Sequence, residues 1–63
     1  MRYYVIVTES YHLWLVWAAS LEAAEADWNY HAESGEYEDM LFARLPKSQA
    51  EIDYLRDIGQ SDY

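Results

Sequence analysis

Two histidines, several serines and many carboxylates are the side chains in this chain that could do chemistry. His31 and Glu33 spell H-x-E, the pattern in which zinc deaminases use a histidine as a metal ligand and a glutamate to move a proton. Those enzymes also need a Cys-x-x-Cys segment, and the chain contains no cysteine. His12 lies far from His31 on another predicted element, so a shared metal site would require the fold to bring them together. We therefore predict no metal and no cofactor.

Catalysis by a serine nucleophile is not indicated either. The sequence has no Gly-x-Ser-x-Gly elbow, and its two glycines leave little material for an oxyanion loop. It also lacks a glycine-rich segment that could cradle a phosphate group. We therefore predict that the protein is not an enzyme and that its function is binding.

Acidic residues dominate the stretch between Arg2 and Arg44, which contains eight carboxylates and no lysine or arginine. The whole chain has four basic and twelve acidic residues, for a formal net charge of -8. Such one-sided charge does not stabilise a fold, because the carboxylates repel each other, so we expect its benefit to lie in what it attracts. Direct binding to nucleic acid or to an anionic membrane is disfavoured, since few cations are present to neutralise phosphates.

Seven of these carboxylates form the predicted partner-binding surface. They are Glu22, Glu25, Asp27, Glu33, Glu36, Glu38 and Asp39. On a helix, Glu25 and Glu33 would lie about 4.5 and 16.5 Å from Glu22 along the axis, a scale compatible with the charge repeat of about 1.7 Å in duplex DNA. The expected partner is a basic host protein or ribonucleoprotein that binds nucleic acid. The alternative is that these residues are only a solvated helix face and a polar loop.

A single small α+β domain is expected to position these residues. The chain has 63 residues, of which 52% are hydrophobic and 17% aromatic, enough to form one core without disulfides. We assign residues 1–59 to this domain and residues 60–63 to a frayed C-terminal tail. No signal peptide or membrane span is indicated, so we expect a cytoplasmic location.

The hydrophobic pattern predicts the element order ββαβα. Strands are expected over 2–8, 11–18 and 40–45, with a turn at Glu9 and Ser10 between the first two. Both faces of this hairpin are largely apolar, so we expect both to be covered. We predict a three-stranded antiparallel sheet with strand order 2-1-3. The first helix should pack on one face, while the second face could be covered by the second helix, remain open and aromatic, or be closed by a homodimer.

Capping residues delimit both predicted helices. Ser20 is a suitable N-cap for a helix over 21–33, and Gly35 can adopt the left-handed conformation that ends it. The residues expected to face the sheet are Leu21, Ala24, Trp28 and Ala32. Ser48 and Glu51 are spaced as a capping box for a second helix that ends at Gly59. Its apolar stripe consists of Ile52, Leu55 and Ile58.

The first half of the chain resembles the small DpnD/PcfM-type proteins of plasmids and phages. The resemblance covers roughly residues 4–36 and rests on YYVIVTES, Ala18-Ala19-Ser20, Leu21-Glu22-Ala23-Ala24-Glu25-Ala26, Tyr30 and Gly35-Glu36. The chain departs from the family pattern at Ala23, where the family motif has a second acidic residue. The resemblance implies the fold and a mobile-element setting, and it carries no active site.

A second resemblance rests on size and composition and not on an alignment of residues. As a small, strongly acidic domain without cysteine, this chain is similar to phage anti-CRISPR and anti-restriction proteins that imitate nucleic acid. This resemblance implies a phage-encoded inhibitor that occupies the basic groove of a host defence complex. The alternative is a homodimeric accessory or adaptor protein of a mobile element. Its exposed aromatic surface would include Trp14, or Tyr3 and Tyr11, although we expect most aromatic side chains to fill the core.

Overall fold

A three-stranded antiparallel sheet with a helix on each face forms the protein, in a computed structural model that describes residues 1–61. The elements are β1 (Arg2–Thr8), β2 (Leu13–Ala18), α1 (Leu21–Glu33), β3 (Met40–Arg44) and α2 (Gln49–Asp57). The strand order is β2-β1-β3, with both pairings antiparallel. The predicted α+β class, the element order ββαβα and the strand order are therefore confirmed.

The turn between β1 and β2 is longer than predicted. Tyr11 has a φ of 64°, and its amide donates a 2.8 Å hydrogen bond to the Thr8 carbonyl. The Thr8 amide in turn donates to the His12 carbonyl at 3.0 Å. This is the three-residue hairpin loop that ends in a left-handed residue, a position where glycine or asparagine is usual. The prediction that the second strand begins at Tyr11 is wrong. Tyr11 occupies the left-handed position of the loop, and a tyrosine, unlike a glycine or asparagine, does not indicate that position in the sequence.

The helix α1 covers one face of the sheet, as predicted. Ala24 and Trp28 are buried against β1 and β2, and Leu21 and Ala32 pack beside them. Ser20 caps the helix by accepting a 3.1 Å hydrogen bond from the amide of Ala23. The predicted bounds and the predicted sheet-facing side are both confirmed, because the spacing of apolar residues and the cap are local signals.

The helix α2 covers the centre of the opposite face, which decides one of the alternatives left open by the sequence. Leu55 is 1% exposed and packs with Val5 and Leu15, while Ile52 lies at the edge of this cluster. Ile58, predicted to belong to the apolar stripe, is 47% exposed. It is the C-cap of α2, one position beyond the last helical residue.

Gln60 and Ser61, predicted to begin a frayed tail, pair with β2 in the structure. Gly59 has a φ of 79°, and the Gln60 amide donates to the Leu55 carbonyl at 2.9 Å. This Schellman turn directs Gln60 back to the sheet, where its carbonyl accepts from the Leu15 amide at 2.9 Å. The folded part thus extends past residue 59, and residues 62 and 63 lie outside the described residues.

An ion pair joins β3 to α2. The Arg44 guanidinium donates two hydrogen bonds to the Glu51 carboxylate, at 2.8 and 2.9 Å. The Ser48 hydroxyl accepts from the Glu51 amide, but the carboxylate of Glu51 accepts from the Lys47 amide and not from that of Ser48. Only half of the predicted capping box is therefore formed. The hydrogen bonds from Arg44, assisted by the Lys47 amide, lower the pKa of Glu51 from 4.5 to about 2.

Because acid protonates Glu51 and breaks this ion pair, the protein should be less stable in acid. Because the folded-state pKa of Glu51 lies below its unfolded value, its stabilising contribution is present above pH 4.5 and is lost as the pH falls toward 2. We expect a contribution of about 1 to 2 kcal/mol after solvent screening. Urea unfolding of the wild type and of Glu51→Gln should therefore differ at neutral pH and converge in acid. The Glu22→Gln control removes a carboxylate without an ion-pair partner, so its stability should follow that of the wild type at every pH. A stability difference between the wild type and Glu22→Gln that is as large as for Glu51→Gln, and that also disappears in acid, would contradict this assignment.

Candidate partner-binding site

The tertiary fold places all seven predicted carboxylates on one side of the sheet. They belong to α1 or to the 34–39 loop that follows it, and this part of the chain contains no lysine or arginine. Six of the seven residues are exposed and Glu25 is half-buried. Because α1 packs on a single face of the sheet and the loop packs against Trp28 of α1, we treat α1 and the loop as one layer of the molecule, which we call the acidic layer.

Basic residues lie mainly in the opposite layer, which consists of α2, the segment leading into it and the last residue of β3, Arg44, which pairs with Glu51 of α2. This layer contains the cations Arg44, Lys47 and Arg56 and the carboxylates Glu51, Asp53 and Asp57. Its formal charges therefore cancel. Arg56 lies over the ring of Tyr3 at 6.0 Å, on the α2 side of the sheet. The negative charge of the protein is thus concentrated in the acidic layer and is not spread evenly over its surface.

Within residues 1–61, none of the seven carboxylates forms an ion pair with a lysine or arginine. Asp27 and Glu36 approach opposite ring nitrogens of His31, at 3.9 and 3.2 Å. Glu38 lies 3.4 Å from Nδ1 of His12. The side chains of the other four make no hydrogen bond or ion pair in this part of the chain. These four are Glu22, Glu25, Glu33 and Asp39. Apart from these histidine contacts, the charge of the acidic layer is not compensated by side chains within residues 1–61.

The 34–39 loop is fastened at both ends. At the end of α1, the amides of Gly35 and Glu36 donate to the carbonyls of Ala32 and His31 at 3.1 and 3.0 Å. Gly35 has a φ of 86°, which confirms the predicted left-handed C-terminal residue and completes a Schellman motif. At the other end, the Asp39 carbonyl accepts from the amide of Glu9 in the hairpin loop at 3.0 Å. Glu36 and the residues after it therefore have a defined position.

Trp28 anchors the middle of the same loop. Its indole N–H donates a 2.9 Å hydrogen bond to the carbonyl of Glu38. The Tyr37 ring lies 4.4 Å from the Trp28 ring at an interplanar angle of 34°. The ring of Trp14, which belongs to β2, lies 6.3 Å from the Trp28 ring. His31 lies 4.8 Å from Tyr37. The loop therefore folds over a continuous set of aromatic rings.

A pocket with a volume of about 260 Å³ lies between this loop and β2. We call it the aromatic pocket, and it is lined by His12, Trp14, Trp28, Glu36, Tyr37 and Glu38. The Ser10 hydroxyl donates a 2.6 Å hydrogen bond to the Glu38 carboxylate. This bond is the main cause of a lowered pKa for Glu38. The pocket thus combines an aromatic lining with two carboxylates.

The structure divides the predicted site residues into two groups. It brings Glu36 and Glu38 together at the aromatic pocket, and it links Asp27 to Glu36 through His31. Glu22, Glu25, Glu33 and Asp39 do not line this pocket. Sequence reasoning missed the pocket contributions of His12 and of the aromatic residues. The available signal was the triplet Glu36-Tyr37-Glu38, in which an aromatic residue stands between two acids.

Comparison of the chain with protein-family models, curated proteins and solved structures gave no match. The resemblance to DpnD/PcfM-type proteins therefore stays a prediction. Among residues 1–61, no group of three or more histidine, cysteine or acidic side chains is arranged to hold a metal ion. Neither helix in the described part of the chain is long and apolar enough to cross a bilayer.

Proposed function

We propose that this protein is a non-enzymatic inhibitor encoded by a phage or another mobile element, acting in the cytoplasm of the bacterial host. It would occupy the basic groove of a nucleic-acid-binding defence complex, as anti-CRISPR proteins that imitate nucleic acid do. The observation that supports this proposal is the segregation of charge. The acidic layer holds seven carboxylates and no lysine or arginine, whereas the opposite layer is formally neutral.

Charge segregation supports binding to a basic surface for a physical reason. An acidic layer without internal cations makes the local electrostatic potential strongly negative and speeds association with a positively charged groove. The same layer repels nucleic acid, so the proposed partner is the protein or ribonucleoprotein and not free DNA or RNA. An ordinary solvated surface intersperses both signs of charge, as the α2 layer does.

Charge reversal on each layer gives a direct test. The wild type, the triple variant Glu22→Lys/Glu25→Lys/Glu36→Lys and the control Glu9→Lys/Asp53→Lys/Asp57→Lys should be used to capture proteins from a nuclease-treated bacterial lysate. The two variants change the net charge equally, and the control changes residues outside the acidic layer. Each captured protein is then tested for displacement of a fluorescent nucleic acid by each form of this chain. We expect the acidic-layer variant to displace nucleic acid at least about tenfold more weakly, while the control stays near the wild type.

Two results would contradict the proposal. One is equal displacement by the wild type and by the acidic-layer variant, which would mean that these carboxylates do not mediate binding. The other is capture of partners that bind no nucleic acid. Binding through the acidic layer should also weaken steeply between low and high salt.

Exposed apolar residues in β3 and directly after it favour the second candidate, a homodimeric accessory or adaptor protein of a mobile element. Leu41, Phe42 and Leu45 are each about half exposed, at 46%, 49% and 51%. Leu41 is an extra residue in the pairing of β3 with β1, a bulge that turns it out of the regular strand. Exposed apolar residues on an edge strand are typical of contact surfaces. Self-association that is insensitive to salt and abolished by Phe42→Ser would support this candidate over the inhibitor.

A further inference from the structure

We propose that the aromatic pocket binds the guanidinium group of an arginine side chain that the basic partner contributes. This inference rests on the proposed function, since it takes the partner to present a cationic nucleic-acid-binding surface. It adds a specific anchor to a binding mode that would otherwise depend only on the summed charge of the acidic layer. The anchor combines contributions from three places in the fold: β2 with the preceding loop, α1, and the 34–39 loop.

The aromatic rings of the pocket provide a surface that attracts cations. Trp14, Trp28 and Tyr37 line the pocket together. A cation within about 6 Å of such a ring centre is attracted by the negative charge of the ring face, most strongly at tryptophan. The pairing of Trp28 with Tyr37 at 4.4 Å and its hydrogen bond to the Glu38 carbonyl hold these rings in place. The cation would therefore enter a preformed site, which lowers the entropic cost of binding.

Two carboxylates supply negative charge to the pocket. Glu36 and Glu38 line the same pocket, and both are oriented by neighbouring side chains. Ser10 donates to Glu38 at 2.6 Å, and Ser34 and His31 contact the two oxygens of Glu36 at 3.4 and 3.2 Å. Within the described residues, neither carboxylate has a lysine or arginine partner. The pocket thus joins oriented carboxylates to aromatic surface, and its lining contains no lysine or arginine.

Size and shape favour arginine over other cations. At about 260 Å³, the pocket lies just below the range of about 300–1,000 Å³ in which drug-sized ligands and cofactors bind, so it suits a single side chain. The guanidinium group is planar, stacks on aromatic rings and offers five N–H donors that match carboxylates. A lysine ammonium is more strongly hydrated and cannot stack in this way. Arginine residues are also the groups with which nucleic-acid-binding grooves hold phosphates and bases.

The test uses the intact protein and N-acetyl-arginine N-methylamide as the probe, followed by NMR of the tryptophan indole N–H groups. The three tryptophans provide an internal control, because Trp14 and Trp28 line the pocket while Trp17 pairs with Tyr3 on the opposite face of the sheet. We expect saturable shifts of the Trp14 and Trp28 indole signals and none for Trp17. The corresponding citrulline compound has the same shape without the charge, and it should produce no saturable shift.

Two charge-matched variants make the test specific to the pocket. Glu36→Gln/Glu38→Gln should weaken binding of the arginine probe at least about fivefold, because it removes both carboxylates of the site. Asp53→Asn/Asp57→Asn removes the same charge from α2, on the opposite face of the sheet, and should leave the affinity within about twofold of the wild type. Equal weakening by both variants, equal shifts with the citrulline compound, or tighter binding of the lysine analogue or of tetramethylammonium would overturn the proposal. So would the lack of any saturable shift.

This experiment can fail independently of the proposed function. It uses a small probe and this chain alone, whereas the charge-reversal experiment depends on a captured partner. Arginine binding without a nucleic-acid-binding partner would keep the pocket assignment and refute the inhibitor proposal. Displacement of nucleic acid by the wild type and by Glu36→Gln/Glu38→Gln alike would keep the inhibitor proposal and refute the arginine anchor.

Discussion

Replacement of Trp28 with alanine is expected to remove most of the stability of this protein. Trp28 is 3% exposed and is the largest side chain that α1 buries against the sheet. Truncation of such a residue costs about 3–5 kcal/mol through lost burial and the cavity left behind. A domain of this length has roughly 3–9 kcal/mol of total stability. Urea unfolding followed by far-UV circular dichroism should therefore show a large drop in the transition midpoint, or no folded baseline.

Two control variants separate the contributions of Trp28. Trp28→Phe keeps an aromatic ring but removes the N–H that donates to the Glu38 carbonyl at 2.9 Å, so we expect a smaller loss of about 1–2 kcal/mol. Trp17→Ala removes a tryptophan that is 38% exposed and should cost less than Trp28→Ala. If Trp17→Ala and Trp28→Ala destabilise the protein equally, then Trp28 is not the main contact between α1 and the sheet.

Replacement of Leu55 with alanine is expected to cost about 2–5 kcal/mol, the second large effect. Leu55 is the buried residue of α2 and lies with Val5, Val7 and Leu15 in the cluster on that face of the sheet. A helix of nine residues is not stable by itself, so its docking depends on this apolar contact. The free energy of unfolding from urea titrations, monitored by tryptophan fluorescence, should fall accordingly.

Ile58 provides the matched control for Leu55. It belongs to the same apolar stripe in the sequence but is 47% exposed at the C-cap of α2. We expect Ile58→Ala to change the stability by less than about 1 kcal/mol, as is usual for surface substitutions. Comparable losses for Ile58→Ala and Leu55→Ala would mean that α2 does not dock on the sheet through Leu55.

Leu55 and Ile58 show that a sequence pattern does not by itself predict which apolar residues of a helix are buried. Apolar spacing predicts both residues as part of one buried stripe, but the helix ends before it can carry Ile58 onto the sheet. Similarly, strand propensity predicts that β2 begins at Tyr11, whereas this residue closes the hairpin loop with a positive φ. The exposure of Ile58 and the start of β2 both depend on the backbone geometry at the end of an element. That geometry is decided by neighbouring residues and not by the type of the residue itself.

The amino-acid sequence by itself determined the elements, their order and the excess of carboxylates over cations. These properties follow from local causes: alternation in the strands, helical spacing and the Ser20 cap in α1, and the residues present in each segment. Only the tertiary structure decided that α2 covers the second face of the sheet and that the charges divide into an acidic and a neutral layer. It also decided that His12 and Trp14 meet Glu36 and Glu38 at one pocket. The physical reason is that residues distant in sequence become neighbours only when packing joins the elements that carry them.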